Sequence, residues 1–474
     1  MTTTYRPQPL FHTLGPDFAD PVAPARFPKH VLRWRHQRWA ERIGLGDLSE
    51  AAFEEHFARW TPLPDNQPGP LAIRYHGHQF RTYNPDIGDG RGFLFAQVRD
   101  DQGRLLDLAT KGSGQTPYSR FGDGRLTLKG GVREVLASHM LEAQGVYTSK
   151  AFALFETGEA LQRNDEPSPT RSAVLTRLSH SHIRFGVFQR HAYHERPDLI
   201  AQLLDHIAEA YYPQLAGLDT PAKAKGLLDA AVGQSARLAG QWMAAGFVHG
   251  VLNTDNMVIT GESFDYGPWR FLPASDPGFT AAYFDHGGLY AFGRQPQAVG
   301  WNLAQLAGTL LLVADQADLI PVLEGYGARY SAALRDAVFA RLGLAPGALE
   351  EDLHALAAFY EWLTASEAGW DQVMHDWFAG EASAARAAAG PQAALYAAAA
   401  FAPVRAGLLA RTPVRPERLA HSYFQRAQPV SLVIDRVEAI WALIAEDDDW
   451  TAFEAACGEI DSLRLALDLQ SQWP

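Results

Sequence analysis

The stretch Asn84 to Gly92, NPDIGDGRG, sets Gly88, Gly90 and Gly92 at alternate positions just ahead of an apolar run, with Arg91 among them. Alternating glycines let backbone N–H groups approach phosphate oxygens with no Cβ in the way. Neither GxGxxG nor GxxxxGK[ST] is satisfied, so this is neither a dinucleotide fingerprint nor a Walker loop. Asn, Asp, Pro and Gly also build plain turns, which keeps the motif weak when taken alone. Lys111 ends a second apolar run and is followed by Gly112-Ser113-Gly114 and then Asp123-Gly124-Arg125. A lysine at a strand end beside a glycine-rich loop is how kinase-like folds bring a point charge to ATP phosphates. Glu134 falls early in the next helical pattern, on the face of Ser138 and Leu141, where it can pair with that lysine.

Two further pieces follow in the same order as in kinases. His249 to Met257, HGVLNTDNM, has the layout of a catalytic loop, in which an Asp two after the His accepts the hydroxyl proton and an Asn five further on holds Mg²⁺. Here Val251 stands at the base position, Asn256 keeps the metal position, and Asp255 precedes it. Nine residues on, Asp265-Tyr266-Gly267 replaces the metal-binding Asp-Phe-Gly. A carboxylate and an amide oxygen are suitable hard ligands for Mg²⁺ or Mn²⁺. Arg177 and Arg184 flank Ser179 to His182, and their planar guanidinium groups can clamp a phosphate or, more blandly, make surface salt bridges. A turn, a solvated lysine and a polar loop explain each piece separately; four in the right order are much harder to assign to chance.

The elements that must position these groups follow from hydrophobic spacing. Gly92–Val98 and Leu105–Lys111 are apolar runs joined by Asp100-Asp101-Gln102-Gly103, the pattern of a hairpin. Val132, Val135, Leu136, Met140 and Leu141 recur at helical spacing until Gly145, and strands are expected at Ala151–Phe155 and Ala173–Leu178. Trp34, Trp39 and Ile43 predict one helix in the opening segment. After Pro197 helices dominate, through Leu203, Ile207 and Tyr211 and again from Leu227 to Met243, with a strand-loop-strand between Phe247 and Ile259. From Trp301 onward the chain reads as helices broken at Pro321, Pro346, Pro391, Pro403, Pro413 and Pro429.

The expected class is α+β, a small strand-rich lobe before a larger helical one. Four segments are predicted: an N-terminal extension (1–74), a nucleotide-binding N-lobe (75–165), a C-lobe with the catalytic and metal loops (166–315) and a helical C-terminal region (316–474).

Composition narrows the function classes. Across 474 residues, 41 Lys plus Arg against 54 Asp plus Glu leave a net charge of −13, which argues against a main partner that is a nucleic acid or an anionic membrane. Cys457 is the single cysteine, so no intrachain disulfide forms and a cytoplasmic setting is expected. Met1 to Phe11 lacks the apolar core of an export signal. The longest apolar stretch, Ala393–Val404, is 12 residues, short of the roughly 20 needed to span a bilayer.

Taken together, the chain resembles the selenoprotein O family (SelO, also called YdiU), which are pseudokinase-like protein adenylyltransferases. The resemblance rests on HGHQF (His76–Phe80), NPDIGDGRG, KGSGQTPYSR (Lys111–Arg120), DGR, Glu134, IRFG (Ile183–Gly186), HGVLNTDNM, DYGP (Asp265–Pro268) and WNLAQLA (Trp301–Ala307). It implies a protein-kinase-like bilobal fold in which ATP lies flipped. AMP would pass to Ser, Thr or Tyr hydroxyls of protein substrates, with pyrophosphate released. Carried onto matching positions, it makes Asp255 the catalytic proton acceptor and Asn256 and Asp265 the ligands of Mg²⁺ or Mn²⁺. Gly88, Gly90, Arg91, Lys111, Asp123, Gly124, Arg177, Arg184 and Asp265 would bind ATP, with Glu134 as the ion-pair partner of Lys111.

Two departures stand out. Family members commonly carry a cysteine or selenocysteine near the C-terminus, whereas this chain reads SLRLALDLQSQWP there, so redox control through such a residue is not expected. Gly130-Gly131 stands where the family often has small hydroxyl residues. Competing readings are a phosphotransferase using the γ-phosphate, UMP transfer from UTP, and a nucleotide-binding scaffold without turnover. A zinc enzyme built on the pairs His76/His78 and His180/His182 is weaker, because no third and fourth ligand follow at characteristic spacing.

Overall fold

The structure, a computed structural model, describes residues 3–469. The outermost parts of both terminal segments, including residues 470–474 of the tail read for a thiol, lie outside the described residues.

The strands are β1 (Ala19–Pro21), β2 (Val31–Arg35), β3 (Leu71–Ile73), β4 (Gly77–Gln79), β5 (Thr82–Asn84), β6 (Leu94–Arg99), β7 (Leu105–Lys111), β8 (Leu126–Thr127), β9 (Lys150–Leu161), β10 (Thr170–Ser179), β11 (Phe247–Val248) and β12 (Arg270–Phe271). The main antiparallel sheet has the order β1-β3-β6-β7-β10-β9-β2, with β8 also paired to β10. The predicted β6–β7 hairpin forms around Asp100, whose Oδ1 accepts from the Gln102 and Arg104 amides while Gly103 takes φ +82°.

Alternate residues of this sheet enter two different cores. Leu94, Leu105, Ala109, Leu154 and Leu175 face one side, where α3 (Leu128–Ala143) brings Val132, Val135 and Leu136. Phe93, Phe95, Leu106, Leu108, Phe152 and Phe155 face the other, where α1 (Gln37–Arg42) and α2 (Glu50–Phe57) bring Trp39, Phe53 and Phe57. Both faces are therefore dry, which is why β7 is buried at every position. The opening segment is a covering layer and three strands of the sheet, β1, β2 and β3. Trp34, expected in a helix with Trp39, is in β2; the helix begins only at Gln37, and Trp34 donates its indole N–H to the Ala151 carbonyl. A division at residue 165 puts β10 in the C-lobe, yet it is hydrogen-bonded between β7 and β9 in the middle of the sheet.

Helix α3 starts earlier than its apolar spacing indicated, because Thr127 caps it by accepting from the Gly130 amide. Beyond β10 run α4 (Phe185–Tyr193), α5 (Pro197–Ala210) and α6 (Thr220–Ala245). The second strand of the expected strand-loop-strand is β12, not residues 257–259; Val258 makes an isolated bridge with Arg184 instead.

The rest is helical: α7 (Gln295–Leu310), α8 (Gln316–Glu324), α9 (Tyr326–Leu342), α10 (Leu349–Ser366), α11 (Trp370–Asp376), α12 (Ala384–Ala389), α13 (Ala393–Ala397), α14 (Ala402–Leu409), α15 (Ile434–Asp447) and α16 (Thr451–Leu467). Pro321 lies inside α8 rather than ending it; it removes one helical hydrogen bond from a short helix that packs on α6. The last two helices return to α3, with Phe453, Ile460 and Leu463 in the same core as Val132 and Val135. No helix among the described residues is long and apolar enough to cross a membrane.

Candidate functional site

A cleft of about 680 Å³ opens beside the sheet, lined by Gly88, Asp89, Gly90, Arg91, Lys111, Arg120, Asp123, Gly124, Arg125, Arg163, Arg177, Arg184, Asp255 and Asp265, among others. That volume suits a nucleotide. Seven Lys and Arg side chains face four Asp side chains on its walls, an excess of positive charge within an acidic chain.

The floor of the cleft is an ion cluster built by three elements, β7, α3 and β10, and the loop that holds Asp265. Lys111, at the end of β7, places Nζ 2.7 Å from Glu134 Oε2 on α3 and 2.6 Å from Asp265 Oδ1. Arg177, on β10, pairs with Glu134 Oε1 and lies 2.6 Å from Asp265 Oδ1. Lys111, Glu134 and Arg177 are all buried, so these are not the surface salt bridges that spacing alone allowed. Burial pulls the Lys111 ammonium below its usual range, against the pull of Asp265 and Glu134. Burial would raise both carboxyls, but Lys111 and Arg177 outweigh it and hold Glu134 below and Asp265 well below the ordinary value. Asp265 also takes φ +60°, a left-handed backbone that costs a residue with a Cβ and is found at functional loops.

Arg184 is held differently. Its guanidinium lies 3.0 Å from Asp89 Oδ1 and over the rings of Tyr75 and Phe264, and its Nε is buried with no hydrogen-bond partner. Phe264 lies beneath Arg177 as well.

Asp255 lies in a short 3-10 turn, Thr254–Asn256. Its Oδ1 is shut off from solvent and has no hydrogen-bond partner, and burial pushes the carboxyl up to about 6, with the charge of Asp265 adding to the rise and Arg184 opposing it. Asn256 donates its amide N–H to the Val251 carbonyl at 2.9 Å, which leaves the side-chain oxygen as the end that can face a cation. Asn256 is not among the residues lining the cleft, and Glu134 meets it only through Lys111 and Arg177.

The catalytic-type loop is braced by neighbours. His249 Nε2 lies 2.7 Å from the Phe264 carbonyl, tying it to the Asp265 turn. The His78 amide donates to Thr254 Oγ1 and the Phe80 amide to Asn253 Oδ1. The HGHQF segment is thus a backbone splint for this loop. His76 meets Tyr83 and His78 meets Gln189, while His180 meets Tyr147 and His182 meets Ser179. These pairs do not come together as the zinc ligand set considered from sequence; the group of metal-ligand type among the described residues is His36, His139 and Glu142.

Two glycines have a packing reason of their own. A Cβ on Gly88 would meet the Tyr118 ring at 2.5 Å, and Gly124, at φ +70°, lies against the Gly114 backbone. The two loops close on each other as well as lining the cleft. Asp123 is exposed at the rim and paired with Arg163 at 2.8 Å. Sequence reasoning passed over Asp89, Tyr75, Arg120 and Arg163. Asp89 lies inside NPDIGDGRG and could have been named with its neighbours; Arg163 follows β9 with no motif around it.

Comparison with known proteins gives a consistent result. The family described as "Protein adenylyltransferase SelO" matches residues 1–461. A protein of Gloeobacter violaceus named "Protein nucleotidyltransferase YdiU" is 46% identical over 468 residues, covering 96% of this chain and 94% of its own. Similarly named proteins of Synechocystis and Synechococcus elongatus are 42% identical over 473 residues (96% of this chain, 98% of the relative) and 52% identical over 341 (71% and 68%).

Proposed function

Because the chain belongs to the SelO family and is a nucleotidyltransferase, we propose that it transfers AMP from ATP to Ser, Thr or Tyr hydroxyls of other proteins, with ATP bound in a flipped orientation. The observation that carries this reading is the pairing of an ionised Lys111–Glu134–Arg177–Asp265 cluster with an Asp255 carboxyl whose Oδ1 has no hydrogen-bond partner, in one cationic cleft.

Lys111, Arg177 and Arg184 hold the polyphosphate, and Gly88, Gly90, Arg91, Asp123 and Gly124 complete the nucleotide walls. The acceptor hydroxyl oxygen attacks the α-phosphorus while its proton passes to Asp255. The bond from that phosphorus to the bridging oxygen breaks, and the electron pair leaves with pyrophosphate. A carboxyl near 6 is a better proton acceptor than one near 4, yet stays mostly ionised at neutral pH. Val251 in place of the usual base fits a site that presents a different phosphorus to the nucleophile.

The donor set fits a hard divalent cation, Mg²⁺ or Mn²⁺: Asp265 is held ionised, and the Asn256 amide nitrogen is turned to backbone. When bound, the ion supplies neutralisation of phosphate charge. The proposed architecture is kinase-like and bilobal. Its support is the strand lysine paired with a helix glutamate across β7 and α3, followed by the two loops on the helical side. The four-segment division is kept with two amendments: the nucleotide-binding sheet takes in β1, β2 and β3 of the opening segment and runs on through β10. The proposed setting is cytoplasmic.

The test incubates the protein with Mg²⁺ or Mn²⁺ and α-labelled ATP, γ-labelled ATP or α-labelled UTP, beside the Asp255→Ala variant. Transfer of the α label alone, lost in the variant, supports the proposal. Transfer of the γ label makes it a phosphotransferase, a stronger signal from α-labelled UTP makes it a uridylyltransferase, and no transfer in any arm leaves a nucleotide-binding scaffold.

A further inference from the structure

A second group of ligand-type side chains is assembled away from the cleft. His36 lies between β2 and α1, and His139 and Glu142 lie one turn apart on α3. One potential ligand atom from each lies within 4.8 Å of the others, and the three residues are 6%, 3% and 1% exposed. Neither ring nitrogen of His139 makes a hydrogen bond, although the residue is almost fully buried. A buried polar group that makes no hydrogen bond is costly, so an imidazole left short of one in a packed core calls for a ligand.

We propose that His36, His139 and Glu142 bind one zinc-class divalent ion, which pins the N-terminal segment to α3. Two imidazoles and a carboxylate are a borderline-soft N/O set that suits Zn²⁺ better than Mg²⁺. The Glu142 carboxylate is already oriented, accepting from Arg38 at 2.6 Å and from the Trp39 indole at 2.8 Å. Asp461, on α16, lies 3.6 Å from His139 Nε2 and brings a second negative charge that offsets Arg38. Trp34 packs edge-on against both imidazoles, which keeps the pair dry and their rings in place. The ligand atoms draw inward when the ion binds, because zinc takes N and O ligands at about 2.0–2.2 Å. This site is structural: it belongs to the helix that carries Glu134, five residues or roughly 7.5 Å further toward the helix N-terminus.

The test uses the full chain, stripped with chelator, reloaded with Zn²⁺ near neutral pH, passed through gel filtration and assayed for metal. Wild type and Asp265→Asn, whose change lies in the nucleotide cleft, each retain one equivalent; His139→Gln retains none, and Asp461→Asn binds about tenfold more weakly. Zinc raises the melting temperature of wild type and leaves that of His139→Gln unchanged. Co²⁺-loaded wild type, which needs no variant to fold, shows the intense visible bands of a four-coordinate imidazole site. Loss of zinc from wild type on gel filtration, full retention by His139→Gln, loss in Asp265→Asn instead, or a weak six-coordinate Co²⁺ spectrum would each overturn the proposal.

Discussion

At the scale of single residues, the site separates into groups that must stay charged and one that must change charge. Asp255 is the latter. On the proposed mechanism its ionised form takes the proton, so AMP transfer is expected to rise with pH through an apparent value of about 6 and to fall away below it. A rate profile flat from pH 5 to 8 with unchanged nucleotide binding would remove Asp255 from the base role. Asp255→Asn lowers the transfer rate by about 10²–10⁴-fold while ATP still raises the melting temperature. Glu134 must stay charged, since Lys111 and Arg177 both depend on it. Glu134→Gln leaves buried cations short of a counter-charge and destabilises the fold by about 3–5 kcal/mol, measurable by urea denaturation. Cys457 shows the opposite of reactivity: it is buried, and burial raises its thiol well above the ordinary value. Native protein is expected to leave it unlabelled by a thiol reagent that reacts fully in urea. Lys111, Glu134, Asp255 and Asp265 were legible in the sequence as candidates because each stands in an ordered motif. What was not legible was Asp265's double engagement with Lys111 and Arg177, and the absence of a partner for Asp255 Oδ1, since both depend on where other elements end.

At the scale of elements, apolar spacing predicted the β6–β7 hairpin, the body of α3 and the long helices, because those patterns report a face buried along one element. It failed where two elements share a stretch of sequence. Trp34 and Trp39 lie five residues apart and point into different cores, one from a strand and one from a helix. The second strand expected at 257–259 appears at β12, because pairing with β11 is a long-range event that no local pattern records. The loop of alternating glycines belongs to this scale too. A Cβ on Gly92 would come within 2.1 Å of the Thr110 carbonyl, a backbone atom that cannot step aside. Gly92→Ala is therefore expected to cost about 1–3 kcal/mol and to weaken ATP binding, since Thr110 leads directly into Lys111. A variant with wild-type stability and affinity would show that the loop has room the structure denies.

At the scale of the whole molecule, the chain ends act on the site without touching it. The opening segment covers one face of the sheet, and α15 and α16 cover α3, so the helix that carries Glu134 is packed from both chain termini. Ile460 is fully buried in that contact; Ile460→Ala should cost about 2–5 kcal/mol, and lower the temperature at which transfer activity is lost, while leaving ATP affinity at low temperature unchanged. Arg33 and Arg171 bind Glu156 and reach Asp448, which fastens the turn between α15 and α16 to the sheet. Treating the first 74 and last 159 residues as extensions missed this, because hydrophobic periodicity says that a face is covered but not by what. By itself the sequence determined the chemistry available: a strand lysine, a helix glutamate, two arginines, a displaced carboxylate and a metal-type pair, in an order that carries its own meaning. It determined the α+β class as well, since strand and helix periods are local. Tertiary structure alone decided which residues meet, and therefore their charge states. Sheet order brings β7 and β10 side by side so that one glutamate serves Lys111 and Arg177, and close packing strips water from Asp255 to move its carboxyl toward neutrality. Ionisation depends on desolvation and on neighbours distant in the chain, and neither is written in any local stretch of residues.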